Sequence, residues 1–346
     1  MVRLRWSVPY LLLAPGLLWL FLFFVLPNIQ MFVMSLSTRA GGTGLRRQYA
    51  FTWAWENYTS AVTNFSDQFG NSIVYGGLAT LLCLLIGFPL AYGIAFRGGR
   101  YKNLLLFLVI APFFTSFLIR TISWRILLGN DGAFLSFVRD GLGIVPANFT
   151  VLGTPLAVVA GLTYQFLPFM VLPLYVALEK IDRPLIEAAK DLYAGPWRPG
   201  GAVIGSLVGG SLAVALLAAL GYLRLDAGNV PAILVTAVLG GAFGGIVSTV
   251  LISESFIRVI FPLSLSGVFA GSILTFIPAT GDYVNVELLG NPKTQMIGNV
   301  IQSRYLDQND YPTAAALSFL LMAGILIAIL VYARALGTEE LTGGRA

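Results

Sequence analysis

Long apolar stretches, separated by short polar segments, occupy most of this chain. One of them, from Ser7 to Thr38, contains no charged residue. A helix needs about 20 predominantly apolar residues to cross a bilayer, so each stretch of that length predicts a membrane span. The pattern predicts spans at about 9–35, 70–96, 104–128, 152–177, 201–223, 230–252, 259–281 and 312–334. The chain is therefore predicted to be an all-α integral membrane protein with eight spans.

The two spans predicted between residues 199 and 254 are unusually rich in glycine. Two uncharged runs are joined there by Arg224–Asn229, and Gly201, Gly205 and Gly209 recur every four residues. Small residues at that spacing let helices pack closely in lipid. We expect a transmembrane helical hairpin whose connecting segment lies outside. A hairpin that lies in the inner leaflet is the alternative.

Basic residues are distributed unevenly between the two sides of this topology. With the N-terminus inside, the inner segments hold 12 basic and 7 acidic residues, whereas the outer segments hold 9 of each. Short cytoplasmic loops carry an excess of Lys and Arg, so both termini are predicted to be cytoplasmic. The net charge of +5 then reflects membrane orientation. The basic residues are too scattered to indicate a nucleic-acid partner.

Residue types with catalytic or metal-binding chemistry are scarce. The sequence contains no histidine and one cysteine, Cys83, which excludes histidine-based triads and Cys–His zinc sites. No phosphate-binding loop is present, since Lys293-Thr294 follows Asn291-Pro292 instead of glycine. The mean hydropathy of +0.82 agrees with a membrane protein. We expect no enzyme activity, no cofactor and no metal site. If ATP drives the protein, a separate subunit hydrolyses it.

A polar stretch at residues 187–198 interrupts the apolar second half of the chain. It begins one turn after Pro184, with Asp182 as its predicted cap, and Gly195-Pro196 predicts its end. Its apolar face is predicted to contain Ala188, Ala189 and Leu192, and its charged face Glu187, Lys190 and Asp191. A short amphipathic helix between spans is either an interfacial linker or a docking site for a soluble partner.

The motif Glu187-Ala188-Ala189, followed by a turn at Gly195, resembles the start of the EAA loop of binding-protein-dependent ABC transporter permeases. The chain departs from that family at Tyr193, where the family usually has glycine. The segment Ser255–Pro262 resembles the second half of the family's EAA loop, but in this chain it follows only after the insertion at 199–254.

Other motifs narrow the resemblance to the spermidine/putrescine branch of these permeases. One is the run from Phe276 to Tyr283, and the others are Pro112-Phe113-Phe114-Thr115, Arg120-Thr121 and Trp124. The resemblance implies a MetI-like ABC importer transmembrane domain over residues 1–346. That domain would have six core spans, with the hairpin at 199–254 inserted into the EAA loop.

The resemblance also implies a function and a set of partners. The chain would be a multi-pass permease subunit in a bacterial inner membrane, surrounded by lipid. Its partners would be a second homologous permease, cytoplasmic ATPase subunits and a periplasmic substrate-binding protein. Spermidine and putrescine are the expected substrates. Another small organic or metal cation, a membrane-embedded enzyme and a non-transporting scaffold remain the alternatives, although the missing catalytic groups argue against the enzyme.

Two sets of candidate site residues follow from the resemblance. The residues implied to couple the permease to its ATPase are Glu187, Ala188, Ala189, Asp191, Gly195 and Pro262. Glu187 would anchor or cap the docking helix, and the two alanines would fit a cleft of the ATPase.

The substrate path is expected to offer carboxylates and aromatic faces to an extended cation, because both attract ammonium groups. The candidates are Asp282, Tyr283, Glu287 and Trp124. Arg120 and Arg125 lie at a similar depth and argue against an open acidic pore, unless they pair with these carboxylates. Asp282 alternatively ends the preceding helix or pairs with an arginine.

Overall fold

A computed structural model describes residues 4–42, 48–137, 150–192 and 256–336 of the chain. Within these ranges five helical segments are long and apolar enough to cross a membrane. They are Leu12–Ser35, Ser66–Arg97, Pro155–Glu179, Arg258–Thr280 and Tyr311–Arg334. Each coincides with a span predicted from the sequence. The predicted hairpin at 199–254 lies outside the described residues, so the total of eight spans stays a prediction.

The first part of the chain combines membrane helices with a small β-hairpin. Helices α1 (Leu4–Leu20) and α2 (Leu26–Ser35) are joined by a π-helical turn at Phe21–Val25. Strands β1 (Ser37–Gly41) and β2 (Gln48–Phe51) pair antiparallel. The helices that follow are α3 (Glu56–Asn64), α4 (Ser66–Tyr92), α5 (Lys102–Ile110), α6 (Phe117–Leu128) and α7 (Ala133–Ser136).

The second part of the described chain is helical. It contains α8 (Pro155–Glu179), α9 (Arg183–Leu192), α10 (Phe261–Thr280), α11 (Val284–Leu289), α12 (Ile297–Gln302) and α13 (Tyr311–Leu336). A π-helical turn at Phe256–Ile260 leads into α10. The β-hairpin therefore departs from the all-α prediction. Its strands are short and mostly polar, with Thr38, Tyr49 and Phe51 as the residues that favour extended structure.

The span predicted at 104–128 is broken rather than continuous. Its two halves, Gly99–Phe114 and Phe117–Leu128, meet at an angle of 93°, so they form either a broken span or a re-entrant loop. The Thr115 backbone N–H and hydroxyl both donate to the Pro112 carbonyl, at 3.2 and 2.7 Å. Thr115 and Ser116 then adopt extended backbone angles. This local side-chain bonding competes with helix continuation and explains the break.

The chain divides into two compact units, and the smaller one comprises Met1–Gly70 and Ile297–Ala328. Its core contains Ala61, Ile297, Val300 and Leu317. Arg304 pairs with the Asp310 carboxylate at 3.4 Å and lies 5.2 Å from the Phe65 ring centroid. The Tyr49 hydroxyl donates to the Asn309 carbonyl, which ties β2 to the segment before α13.

The larger unit comprises Asn71–Met296 and Ile329–Ala346, and helices α8 and α10 form its centre. Glycines of α10 bring the two helices close together. A Cβ atom on Gly267 would lie 2.6 Å from the Ala177 Cβ and 2.8 Å from the Pro173 carbonyl oxygen. A Cβ atom on Gly271 would lie 2.8 Å from the Met170 sulfur. Because backbone atoms form part of this contact, α10 has no room for a side chain here.

Replacing Gly267 by alanine is expected to destabilise the protein by about 1–3 kcal/mol, the usual cost of overpacking a core. Gly77 on α4 is the matched control, since a Cβ atom there would meet nothing within 4 Å. The Gly77→Ala substitution should be neutral or slightly stabilising, because alanine favours helix more than glycine does. Thermal unfolding in detergent measures both variants. Equal melting temperatures for the two variants would contradict the close packing of α8 and α10.

Candidate functional site

Three residues separate the end of α8 from the start of α9, and α9 presents two different faces. The backbone N–H groups of Leu185 and Ile186 donate to the Asp182 carbonyl, at 3.1 and 3.4 Å, so Asp182 lies directly before the helix as predicted. Ile186 and Ala189, three positions apart, are both buried. Ile186 belongs to the main hydrophobic core, which also contains Phe256 and Ile260.

The exposed face of α9 combines carboxylates with leucines. Its members are Leu185, Glu187, Ala188, Asp191 and Leu192. Leu185 and Leu192 are 48% and 76% exposed, so this face offers apolar as well as charged side chains. Glu187 is the fifth residue of α9, so it does not cap the helix N-terminus. Its predicted role as an anchor for the ATPase stays a prediction. This face is therefore the part of α9 that a partner can contact.

The predicted apolar face of α9 was partly wrong. We expected Ala188, Ala189 and Leu192 on one apolar face, but Ala188 and Leu192 are exposed and Ala189 is 5% exposed. The apolar face that packs on the chain is instead that of Ile186 and Ala189. Of the two alanines, only Ala188 is accessible to another subunit. The role of the helix in coupling stays a prediction.

The two halves of the EAA-like sequence approach each other despite the insertion. The turn Phe256–Ile260 contacts α9, and Pro262 follows in the first turn of α10. Gly195 lies outside the described residues. Lys102 at the start of α5 forms an ion pair with Glu179 at the end of α8, immediately before α9. Both side chains are partly exposed, so this pair orients the helix ends more than it stabilises them.

The other end of α10 carries the candidate carboxylate Asp282, which is 8% exposed. Its Oδ1 accepts from the Asn285 backbone N–H at 2.8 Å, and its Oδ2 accepts from the Asn285 side-chain amide at 3.1 Å. The Asn285 Oδ1 in turn accepts from the Thr121 hydroxyl of α6 at 3.3 Å. Asp282 thus ends one helix, starts α11 and is linked to α6.

Burial raises the pKa of Asp282, which lies two residues beyond the end of the candidate span Arg258–Thr280. Loss of water around the carboxylate raises its pKa from the ordinary 3.8 to about 6, although the hydrogen bonds from Asn285 act in the opposite direction. The folded protein therefore binds this proton more tightly than the unfolded chain does. The carboxyl group is ionised above pH 6 and becomes neutral as the pH falls through that value.

The other three candidate path residues differ from Asp282 in exposure and packing. Tyr283 and Glu287 are exposed and lie four residues apart, on one side of the first turn of α11. Trp124 of α6 is half-buried and packs against Tyr164 of α8, with ring centroids 5.3 Å apart. Asp282 is connected to the helix that carries Trp124 through Asn285. Their role in a substrate path stays a prediction.

Within the part of the chain that the structure describes, Arg120 forms no ion pair with Asp282 or Glu287, so the predicted alternative of such a pair is wrong for this arginine. Its guanidinium carbon lies 5.4 Å from the Phe113 ring centroid, where a cation–π interaction operates. Its Nε and Nη1 atoms are buried and have no hydrogen-bond partner among the described residues. The same holds for the Gln165 amide nitrogen and the Thr275 hydroxyl, on α8 and α10. Neither of these two polar residues was predicted from the sequence, because no motif marks a polar side chain that is buried within a membrane span.

Asn285 is a further residue of this site that was not predicted from the sequence. One sequence feature could have identified it. Asn285 lies three residues after Asp282, and at this spacing an aspartate before a helix accepts a hydrogen bond from a backbone N–H of the first helical turn. Its contact with Thr121 joins residues distant in sequence, so no local pattern revealed it.

Comparison with known proteins gives the family. No protein-family model matches the chain. The spermidine/putrescine transport system permease protein PotB of Haemophilus influenzae is 33% identical over 318 residues, which cover 92% of this chain and 90% of that protein. The chain belongs to the PotB family of ABC transporter permeases. PotB of Escherichia coli is 31% identical over 318 residues, which cover 92% of this chain and 94% of that protein.

More distant relatives agree with this assignment. The inner membrane ABC transporter permease protein YdcU of Escherichia coli is 27% identical over 276 residues, covering 75% of this chain and 68% of that protein. Among solved structures, a bacterial ABC transporter involved in the import of the acidic polysaccharide alginate matches with a TM-score of 0.51. That match covers 97% of this chain and 96% of the other at 15% identity, so it shows the fold alone. The permease resemblance seen in the sequence is confirmed.

Proposed function

We propose that this permease belongs to an ATP-driven importer of spermidine and putrescine in a bacterial inner membrane. The observation that carries the proposal is the 33% identity to a PotB protein over 92% of the chain. Both substrates are extended organic cations. The buried carboxylate of Asp282 and the exposed Glu287 and Tyr283 support a path for cations, since they offer charge-assisted hydrogen bonds and an aromatic face.

The chain is proposed to work with separate subunits that bind ATP and deliver the substrate. The sequence contains no phosphate-binding loop, so cytoplasmic ATPase subunits would supply the energy. A second homologous permease would complete the path, and a periplasmic protein would bring the polyamine. Both termini would be cytoplasmic, and the insertion at 199–254 would cross the membrane twice. The exposed carboxylates and leucines of α9 support this helix as the contact with the ATPase.

The packing around α9 supports a rigid-body mechanism of coupling. Ile186 of α9 shares a core with Phe256 and Ile260, which lead directly into α10. Helices α10 and α8 are held together by the close contacts of Gly267 and Gly271. A displacement of α9 by the ATPase would therefore move α8 and α10 together instead of bending one helix. Domain movements of this kind switch a transporter between two accessible states.

Reconstitution of the complete transporter in vesicles tests this function. We expect labelled putrescine and spermidine to accumulate only with ATP and the periplasmic protein, and both substrates to stimulate ATP hydrolysis. Ethylamine is the control, because it has a single ammonium group. If the ATPase copurifies but neither polyamine stimulates it, the substrate assignment is wrong. If no ATPase copurifies with the chain, the transporter assignment itself fails.

A further inference from the structure

Three aromatic side chains near the base of the β-hairpin are exposed. Phe51, Trp53 and Trp55 are 46%, 61% and 57% exposed, and the rings of Phe51 and Trp53 lie 4.8 Å apart, edge to face. We refer to these three residues as the aromatic cluster. Three large exposed rings within five residues are more than scattered surface apolar residues produce, so they indicate an interaction surface.

Backbone hydrogen bonds tie the aromatic cluster to the end of the first candidate span, which ends at Ser35. Phe51 pairs with Ser37 across the hairpin. The N–H groups of Thr52 and Ala54 both donate to the Leu36 carbonyl, at 3.3 and 2.9 Å. The cluster is therefore held at the depth of the first residues that leave the membrane.

Side chains that follow the aromatic cluster in the sequence also bond to the residues at the end of the first span. The Asn57 amide donates to the carbonyls of Ser35 and Ser37, each at 2.9 Å. The hydroxyls of Tyr58 and Ser35 lie 2.7 Å apart and share a hydrogen bond. Helix α3 is thus bonded to both sides of the point where the span ends. These contacts fix the height of Trp53 and Trp55 relative to the span.

Trp53 adopts a backbone conformation that bulky residues avoid. Its φ angle is +53°, in the left-handed region, which costs a residue with a side chain about 1–2 kcal/mol. A glycine would adopt this conformation without the cost. The bonds of Thr52 and Ala54 to Leu36 on either side impose it. A strained tryptophan that is also 61% exposed indicates that the exposed indole has a role outside the folded chain.

We propose that the aromatic cluster binds the boundary between phospholipid headgroups and acyl chains, and thereby fixes the depth of the first span. Tryptophan suits this zone because its ring is apolar and its N–H is polar. Phe32 and Val33, about one helical turn before Leu36, are exposed apolar side chains of the span itself, at 41% and 43% exposure. Their position next to Leu36, and the bonding of the cluster to Leu36, favour lipid over a soluble partner as the occupant.

Quenching of tryptophan fluorescence tests the depth of the cluster. The full chain in the assembled transporter is placed in vesicles whose lipids carry bromine either near the headgroups or near the chain ends. The signal of Trp53 and Trp55 is the difference between the wild type and the double variant Trp53→Phe, Trp55→Phe. We expect shallow bromine to quench this difference signal roughly twofold more than deep bromine, as for an interfacial ring.

Trp19 supplies the internal calibration. It lies inside the first span and is 65% exposed, so the difference between the wild type and Trp19→Phe should favour the deeper bromine. If the double variant fails to insert, Trp55→Cys labelled with a polarity-sensitive dye replaces it, since the native Cys83 is buried. The proposal is overturned if Trp53 and Trp55 are quenched by aqueous acrylamide and not by bromine. Protection from acrylamide only when the periplasmic protein is added would instead assign the cluster to that protein.

Discussion

Replacing Ala188 by tryptophan is expected to uncouple ATP hydrolysis from transport while membrane insertion stays normal. Ala188 lies on the exposed face of α9, between Glu187 and Asp191, and its small side chain lets a partner approach the helix closely. An indole there would hold the two surfaces apart. Disruption of a central interface contact commonly costs 2 kcal/mol or more, so uptake per ATP should fall roughly tenfold or further.

Two variants at neighbouring positions separate coupling from folding. Ala188→Ser keeps a small side chain and should transport normally. Ala189 is 5% exposed, so Ala189→Trp should reduce the yield of folded protein, because an overpacked core is destabilised. The measurement is polyamine uptake and ATP hydrolysis in the same vesicles. Normal uptake by Ala188→Trp would show that the exposed face of α9 does not carry the coupling contact.

The membrane spans were the most predictable part of the fold. The predicted span at 70–96 corresponds to Ser66–Arg97, and that at 312–334 to Tyr311–Arg334. Bilayer thickness imposes a minimum apolar length, which a sequence displays directly. The break at Thr115 was less visible, because it results from a local hydrogen bond to Pro112 inside an apolar run. Pro112 is a local sign of a break, but proline also occurs inside continuous membrane helices, as Pro168 and Pro173 do in α8.

The candidate sites were predictable only where the signal is local. The EAA-like motif identified α9, but amphipathicity did not reveal which face packs on the chain. That choice depends on Phe256 and Ile260, which lie beyond the insertion. The hydrogen bond between Thr121 and Asn285 likewise joins α6 to α11 across a long stretch of sequence. Such contacts arise from tertiary packing, so they are absent from any local pattern.

The substitution Asp282→Asn is expected to lower polyamine uptake roughly tenfold, since a hydrogen bond to a charged group contributes about 1.5–3 kcal/mol. The asparagine keeps one oxygen to accept from the Asn285 backbone, so α11 should still begin in place. It also removes a buried charge, which compensates in part for the lost hydrogen bond. Assembly with the ATPase should therefore stay near the wild-type yield. Asp307→Asn, at an exposed carboxylate, is the matched control.

The pH dependence distinguishes a transport role of Asp282 from a purely structural one. Burial raises its pKa to about 6, so its contribution to stability is greatest below pH 4 and is lost as the pH rises to 6. Uptake that needs the carboxylate should change in the opposite direction and fall as the pH drops through 6. The informative quantity is the ratio of wild-type to Asp282→Asn uptake between pH 5 and pH 8, because other subunits titrate equally in both.

A ratio that declines towards one at pH 5 would assign the ionised Asp282 to the path of the cation. Arg120, next to Thr121 on the helix bonded to Asn285, opposes that role, because its guanidinium has no anionic partner among the described residues. A structural role for Asp282 predicts a ratio that stays constant or rises towards pH 5, and a lower yield of assembled Asp282→Asn transporter instead of slower uptake. Unchanged uptake at normal yield would remove Asp282 from the path, and the polyamine assignment would then depend on the identity to PotB alone.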